Sequence, residues 1–296
     1  MGFERCHPAV NFIYFAAVIA GTLLFKNPVF LGISYVCAFI YSVKRNGRRG
    51  LVFDLILIPL IAVFVYYYSS FEHFGMTVIG YNNVGNSITL EAIVYGCVLG
   101  FMAATVLMWF SCVHSVFTAD KVVYLFGRIS PHLALFLSIL LRMVPRIKKE
   151  AGKINTAQKG IGLGSNQGGI IRRIRNWIRI FSMMISWIID AFATASDSMR
   201  SRGSLLRGRR AFSIYRWDNR DRTYVVVMFF FMAVTVMARM LSQTGMKFSP
   251  RLVMPPVTAV SFVFYVCYAA LCLMPFILEI WTEYRFDQTR RQILNL

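Results

Sequence analysis

The chain has 296 residues, of which 57% are hydrophobic and only 15% charged. Soluble domains carry about a quarter charged residues, so this composition excludes an ordinary soluble globule and indicates an all-α, polytopic helical membrane protein. Its 32 Lys and Arg outnumber 13 Asp and Glu, giving a net charge of +19. The cations fall between apolar runs, where the positive-inside rule and anionic lipid account for them, and no nucleic-acid partner is expected.

In chain order, a first span is expected over Pro8–Phe25, with proline at the helix start where a missing N–H costs nothing. The run lacks a small-residue cleavage site after it and is expected to be retained. A turn at Lys26-Asn27-Pro28 leads into a second span, Val29–Val43. Lys44-Arg45-Asn46-Gly47-Arg48-Arg49-Gly50 then concentrates four cations before a third span, Leu51–Ser70. The loop Phe71–Ser87 has no Lys or Arg, which makes it external, the basic block cytoplasmic and the N-terminus cytoplasmic. A fourth span covers Ile88–Phe117.

The segment from Thr118 to Arg222 reads differently. Between Arg142 and Arg222 there are 18 Lys and Arg and 5 Asp and Glu, yet apolar residues recur at helical spacing. Ile171, Ile174, Ile178, Phe181, Ile185 and Ile188 share one face, and Arg172, Arg175 and Arg179 another. Such a helix sets its apolar side on the membrane base or on sister helices and its basic side toward water, lipid phosphate or protein. Five glycines within Gly160–Gly169 mark a turn between two long helices. Beyond Arg222, spans are expected over Thr223–Leu241 and Val253–Trp281, joined by an external link, Ser242–Leu252, carrying Lys247 and Arg251. Arg285, Arg290 and Arg291 mark a cytoplasmic tail. The chain therefore divides into N-terminal spans (1–117), a basic helical region (118–222) and C-terminal spans with a tail (223–296), about six spans in all.

Enzymatic signatures are not evident. The glycines of Gly162–Gly169 lack the Lys-Ser/Thr of a phosphate-gripping loop. His7, His73, His114 and His132 stand singly, without ligand spacing, and the six cysteines form no CxxC pair. Asp54, Glu91 and Glu279 fall near span ends, where water or headgroups reach them. A membrane enzyme acting on a lipid or isoprenoid, or an autonomous permease, are the rival classes.

The motifs His7-Pro8, Asp120-Lys121, Phe126-Gly127-Arg128-Ile129-Ser130-Pro131, Leu141-Arg142-Met143-Val144-Pro145-Arg146, Ala157-Gln158-Lys159 and Ser198-Met199-Arg200-Ser201-Arg202-Gly203 occur in this order. In them the chain resembles the transmembrane T component of energy-coupling factor (ECF) transporters, the family that includes the cobalt-transport protein CbiQ. The resemblance implies two long cytoplasmic coupling helices, each ending in an Ala-Arg-Gly-like motif that docks on an ATPase subunit. Carried over, the first docking motif is Ala157, Gln158, Lys159, Gly160, Ile161 and Gly162, with Ile161 where arginine is usual; the alternatives are a substitute charge from Lys159 or docking mainly by shape. The second is Ser201, Arg202 and Gly203, with Ser201 in place of alanine. The implied partners are two ECF ATPase subunits (A and A′), which bind the ATP, a substrate-binding S component for a vitamin or a transition metal, and membrane lipid. The chain itself would hold no cofactor and no metal. Ala191, Ala193 and Ala195 are the small residues expected to let the S component approach closely. The implied location is the plasma membrane of a bacterium or archaeon, with both termini cytoplasmic.

Overall fold

A computed structural model describes residues 3–72, 74–81, 87–203, 215, 217–241, 245, 246, 248, 252, 253, 256 and 258–294. The expected external positions Lys247 and Arg251 lie outside them. A 3-10 turn, Phe3–Arg5, precedes α1 (Pro8–Leu24) and α2 (Pro28–Phe71); β1 (Val78–Tyr81) and β2 (Ser87–Thr89) follow. Then come α3 (Leu90–Val116), α4 (Ala119–Ile129), α5 (Pro131–Gly160), α6 (Ile170–Ser201), α7 (Asn219–Met240) and α8 (Ala259–Leu294). Five of these helices, α2, α3, α6, α7 and α8, are long and apolar enough to cross a membrane. The fold class is the expected all-α, polytopic one, but the helices differ in detail from the six expected spans. Two expected spans lie within α2, α1 has only 17 residues, and α6, expected as a basic amphipathic helix, joins the membrane-length group through its apolar second half.

The start signals are local. His7 caps α1, its Nδ1 accepting from the Ala9 N–H at 3.3 Å, and its ring stacks on Trp217 at 4.3 Å. Asn27 caps α2 in the same way through the Val29 N–H at 3.0 Å. In both, proline follows the cap, pre-set for the first helical turn.

The chain reverses inside α2 at Gly47, whose φ of 58° and ψ of −137° only glycine adopts readily. Tyr35 of the first arm and Ile58 of the second line one apolar groove of about 600 Å³ with Cys97 and Phe101 of α3. A straight helix would hold residues 35 and 58 roughly 35 Å apart, so the two arms lie side by side. Their approach depends on Gly50, where an added Cβ would meet the Ser42 carbonyl oxygen at 2.8 Å. The basic block is thus a fold-back between two helical arms and not an extended loop. The segment after α2, expected as an irregular loop, instead forms a small antiparallel hairpin pairing Val78 with Thr89 and Tyr81 with Ser87.

The chain divides into two compact units, 1–118 with 215–296, and 119–214. The core of the first is aromatic: Phe3, Tyr14, Tyr41, Trp109 and Tyr268 are all buried. Several of its buried polar atoms pair with one another, as a lipid-embedded bundle favours. Trp109 Nε1 donates to Ser34 Oγ at 3.1 Å, and the Tyr14 hydroxyl donates to the Cys272 carbonyl at 2.9 Å. At one end of this unit the N-terminal turn, the fold-back and α8 meet through charge. Arg45 bridges Glu4, Ser115 and, at 3.9 Å, Glu279, while Lys44 pairs with Glu283 at 2.7 Å.

Asp54 corrects the expectation that the three acids are reached by water. With Leu57 and Ile61 it lies on the buried stripe of the second α2 arm, fully inaccessible, and neither of its carboxylate oxygens is hydrogen-bonded. Glu279 and Glu91 are buried too, but Glu279 accepts from the Tyr41 hydroxyl at 3.2 Å and Glu91 from the Thr77 hydroxyl. A buried charge without partners is costly, whereas a neutral amide of the same shape is cheaper to hold. Asp54→Asn should therefore keep the fold and raise the melting temperature in detergent; a lower melting temperature would contradict this account of the site.

Candidate functional site

The second unit carries the residues singled out at the two helix ends. Ser130 precedes Pro131 at the start of α5, and α5 runs 30 residues to Gly160. A nine-residue connector joins it to α6, which runs 32 residues to Ser201.

Both helices end at a glycine of positive φ whose N–H donates to the carbonyl three residues back. At the α5 end the Gly162 N–H donates to the Lys159 carbonyl at 3.1 Å and the Leu163 N–H to the Gln158 carbonyl at 2.9 Å. Gly162 has a φ of 76°. These two bonds and a left-handed glycine constitute a Schellman cap, which satisfies terminal carbonyls without another helical turn. At the α6 end the Gly203 N–H donates to the Arg200 carbonyl at 3.0 Å, with a φ of 72°. The caps put the two motifs in register: Lys159 with Arg200, Gly160 with Ser201, Ile161 with Arg202, Gly162 with Gly203. In this register Lys159 stands with Arg200. A cation two positions inside each C-cap complements the negative end of the helix dipole.

The side chains at these ends are presented outward. Ala157, Lys159, Gly160, Ile161, Ser201 and Arg202 are exposed, and an added Cβ at Gly160 or Gly162 would meet nothing within 4 Å. Gln158 alone turns inward, its amide nitrogen 3.6 Å from Met183 Sδ on α6. The Ser201 hydroxyl donates back to the Ser198 carbonyl at 2.8 Å.

What fastens the α5 end to the start of α6 escaped the sequence reading. The Asn176 amide on α6, buried, donates to the Gly164 carbonyl at 3.1 Å, and Asn155 Oδ1 on α5 accepts from the Ser165 N–H at 3.1 Å. The Gly164 N–H donates to Gln167 Oε1 at 2.9 Å, closing the connector on itself. Further along, Arg146 of α5 lies over the Trp187 ring of α6 at 5.5 Å. A lone asparagine amid arginines and isoleucines was the available signal, but its partner is a backbone carbonyl that no spacing rule locates.

The apolar stripe of α6 is uncovered: Ile171, Ile174, Ile178 and Phe181 are each more than half exposed, as are neighbouring Trp177 and Ile189. Arg172, Arg175 and Arg179 are exposed as well, so within this unit both faces of the helix are open. Of the three alanines, Ala191 and Ala195 stand one turn apart and half-buried, whereas Ala193 lies on another face and is exposed. Among the described residues no cluster of His, Cys, Asp or Glu could hold a metal ion.

Membrane-length apolar helices and a separate basic helical unit define a multi-pass membrane protein. No family model matches the chain. Over about a third of its length it is a homologue of curated proteins that share one name, energy-coupling factor transporter transmembrane protein EcfT. That of Lactococcus lactis subsp. cremoris is 33% identical over 98 residues, covering 32% of this chain and 36% of the relative. That of Lactobacillus helveticus is 34% identical over 93 residues (30% and 32%), and that of Listeria innocua 35% over 98 residues (32% and 36%). The chain thus spans about a third of the length of the curated relatives it matches.

Replacing Asn176 with leucine would leave the Gly164 carbonyl and the connector without their anchor, a loss of about 1–3 kcal/mol for a buried unsatisfied group. Limited proteolysis is expected to cut within 161–169 faster in Asn176→Leu than in the unsubstituted chain. Equal cutting rates would show that the asparagine does not hold the connector.

Proposed function

We propose that this chain is the transmembrane coupling (T) subunit of an ECF-type importer. In this reading the α5 and α6 ends dock on two ATPase subunits, and the helix pair carries their nucleotide-driven movement to a substrate-binding S component in the same membrane. The observation that carries the proposal is the pair of outward-facing helix ends, each closed by a glycine of positive φ and each carrying one of the two motifs in which the chain resembles the T-component family. The EcfT relatives support it independently.

The chemistry suits the role. Arg202 offers five N–H donors in a planar fork to a carboxylate or to exposed carbonyls. Gly203 has no side chain, so a partner backbone can come close. Mechanical coupling needs a rigid link, and the connector's hydrogen bonds on both helices supply it. The vitamin or transition metal, such as cobalt, would be chosen by the S component. Ala191 and Ala195 give that partner a closer approach than Ala193, which faces elsewhere. In this reading the end of the first unit that gathers the N-terminal turn, the basic fold-back and α8 is cytoplasmic, because Arg48 and Arg49 lie exposed there.

The test is co-purification in mild detergent of the tagged chain with its ATPases and S component. Breaking one partner of a desolvated charge pair costs about 2–5 kcal/mol, so Arg202→Glu should weaken ATPase association by about thirtyfold or more while S-component binding persists. ATPases retained in full by Arg202→Glu would contradict the docking role, and a chain that binds substrate alone would favour a permease.

A further inference from the structure

We infer that the fold-back of α2 binds a small monovalent cation, sodium, between Asp54 of its second arm and Ser42 of its first. The site lies within the first unit and does not depend on the coupling-subunit reading. Asp54 and Ser42 are both fully inaccessible, and among the described residues Asp54 Oδ1, Asp54 Oδ2 and Ser42 Oγ have no hydrogen-bond partner. The three oxygens are neighbours: the Ser42 hydroxyl lies beside the Asp54 carboxylate, outside hydrogen-bonding geometry. Gly50, one turn before Asp54, faces Ser42 as well. An added Cβ there would meet the Ser42 carbonyl oxygen at 2.8 Å and Ser42 Oγ at 3.2 Å. Two arms of one broken helix thus bring a carboxylate, a hydroxyl and a carbonyl to one buried place. An ionisable side chain at membrane depth with a polar partner from a second helical arm is the ordinary mark of an ion site.

Positive charge is what this oxygen cluster needs, and the basic block beside it supplies none. Lys44 pairs with Glu283, Arg45 with Glu4 and Glu279, and Arg48 and Arg49 are exposed. The Asn46 amide donates to Ser111 Oγ at 3.0 Å. A proton would give one oxygen a donor and leave the others as they are, whereas a hard cation engages carboxylate, hydroxyl and carbonyl oxygens together. The carbonyl of Ser42 can join while keeping its helical bond, because it has two lone pairs. One carboxylate balances one positive charge, so a divalent ion would carry a surplus charge into the core. Among the described residues no cluster of His, Cys, Asp or Glu would hold such an ion. The close approach of the arms at Gly50 suits sodium better than the larger potassium ion. The helix break adds to the attraction: α2 departs from helical geometry at Gly47, so the negative end of the first arm's dipole lies near Ser42. Interrupted membrane helices bind sodium by this same combination of side-chain oxygen and helix end.

The experiment is the melting temperature of the full chain in detergent, titrated with sodium chloride against choline chloride at constant ionic strength. Sodium should raise it saturably, by about 2–5 °C, and potassium by less. Asp54→Asn should melt above the unsubstituted chain in choline and show no response to sodium. Ser42→Ala should keep the fold and raise the half-saturating sodium concentration by about tenfold. A melting temperature of the unsubstituted chain that sodium leaves unchanged would overturn the inference, as would a sodium response that Asp54→Asn retains. Equal shifts with sodium and potassium would contradict the small-ion assignment.

Discussion

A helix that must present its end to a partner has to satisfy its last carbonyls without growing another turn. Extra turns would bury the tip or swing it away, and bare carbonyls would compete for the partner's donors. In this protein a left-handed glycine solves the problem twice, at Gly162 and Gly203. The rest of the second unit follows from that constraint. With α5 stopped sharply at Gly162, the nine residues before α6 form a tight connector, which Asn155 on α5 and Asn176 near the start of α6 hold from either side. Gly162 and Gly168 in this stretch both take positive φ.

A different constraint governs the first unit. Hydrocarbon offers no hydrogen bonds, so polar atoms must be paired inside the bundle or gathered at its ends. Ser34, Thr22 and Trp109 form an internal chain of hydrogen bonds, and Arg45 draws Glu4, Ser115 and Glu279 around the fold-back at Gly47. That clustering ties the N-terminal turn to α8, far apart in sequence. Asp54, Ser42 and Tyr224 depart from this: among the described residues their buried side-chain oxygens have no hydrogen-bond partner, and Asp54 is an acid on the inward stripe.

Much of this was legible from sequence. Apolar runs and cation placement located most of the spans, and the basic block around Gly47 marked the reversal inside α2. The docking motifs were legible as residue types in order. Their equivalence was not, because aligning Ile161 with Arg202 requires the caps, and caps depend on φ at single glycines. The burial of Asp54 was missed because its position near a span end suggested water. Helical period with Leu57 and Ile61 turned it inward instead. The β1–β2 hairpin was hidden in a segment whose Gly and Asn content reads as loop. α6 proved more apolar than its arginines implied, since those cluster in its first half.

The central claim is that α5 and α6 form one linked helix pair, joined at the connector, that responds to bound ATPases. Pulsed electron spin resonance would test it most directly, with spin labels at Ala157 and Ser201 in a chain whose six native cysteines are replaced. The account predicts a single narrow distance distribution that shifts when the ATPases bind and again when they bind nucleotide. A broad distribution, or one indifferent to both, would contradict it.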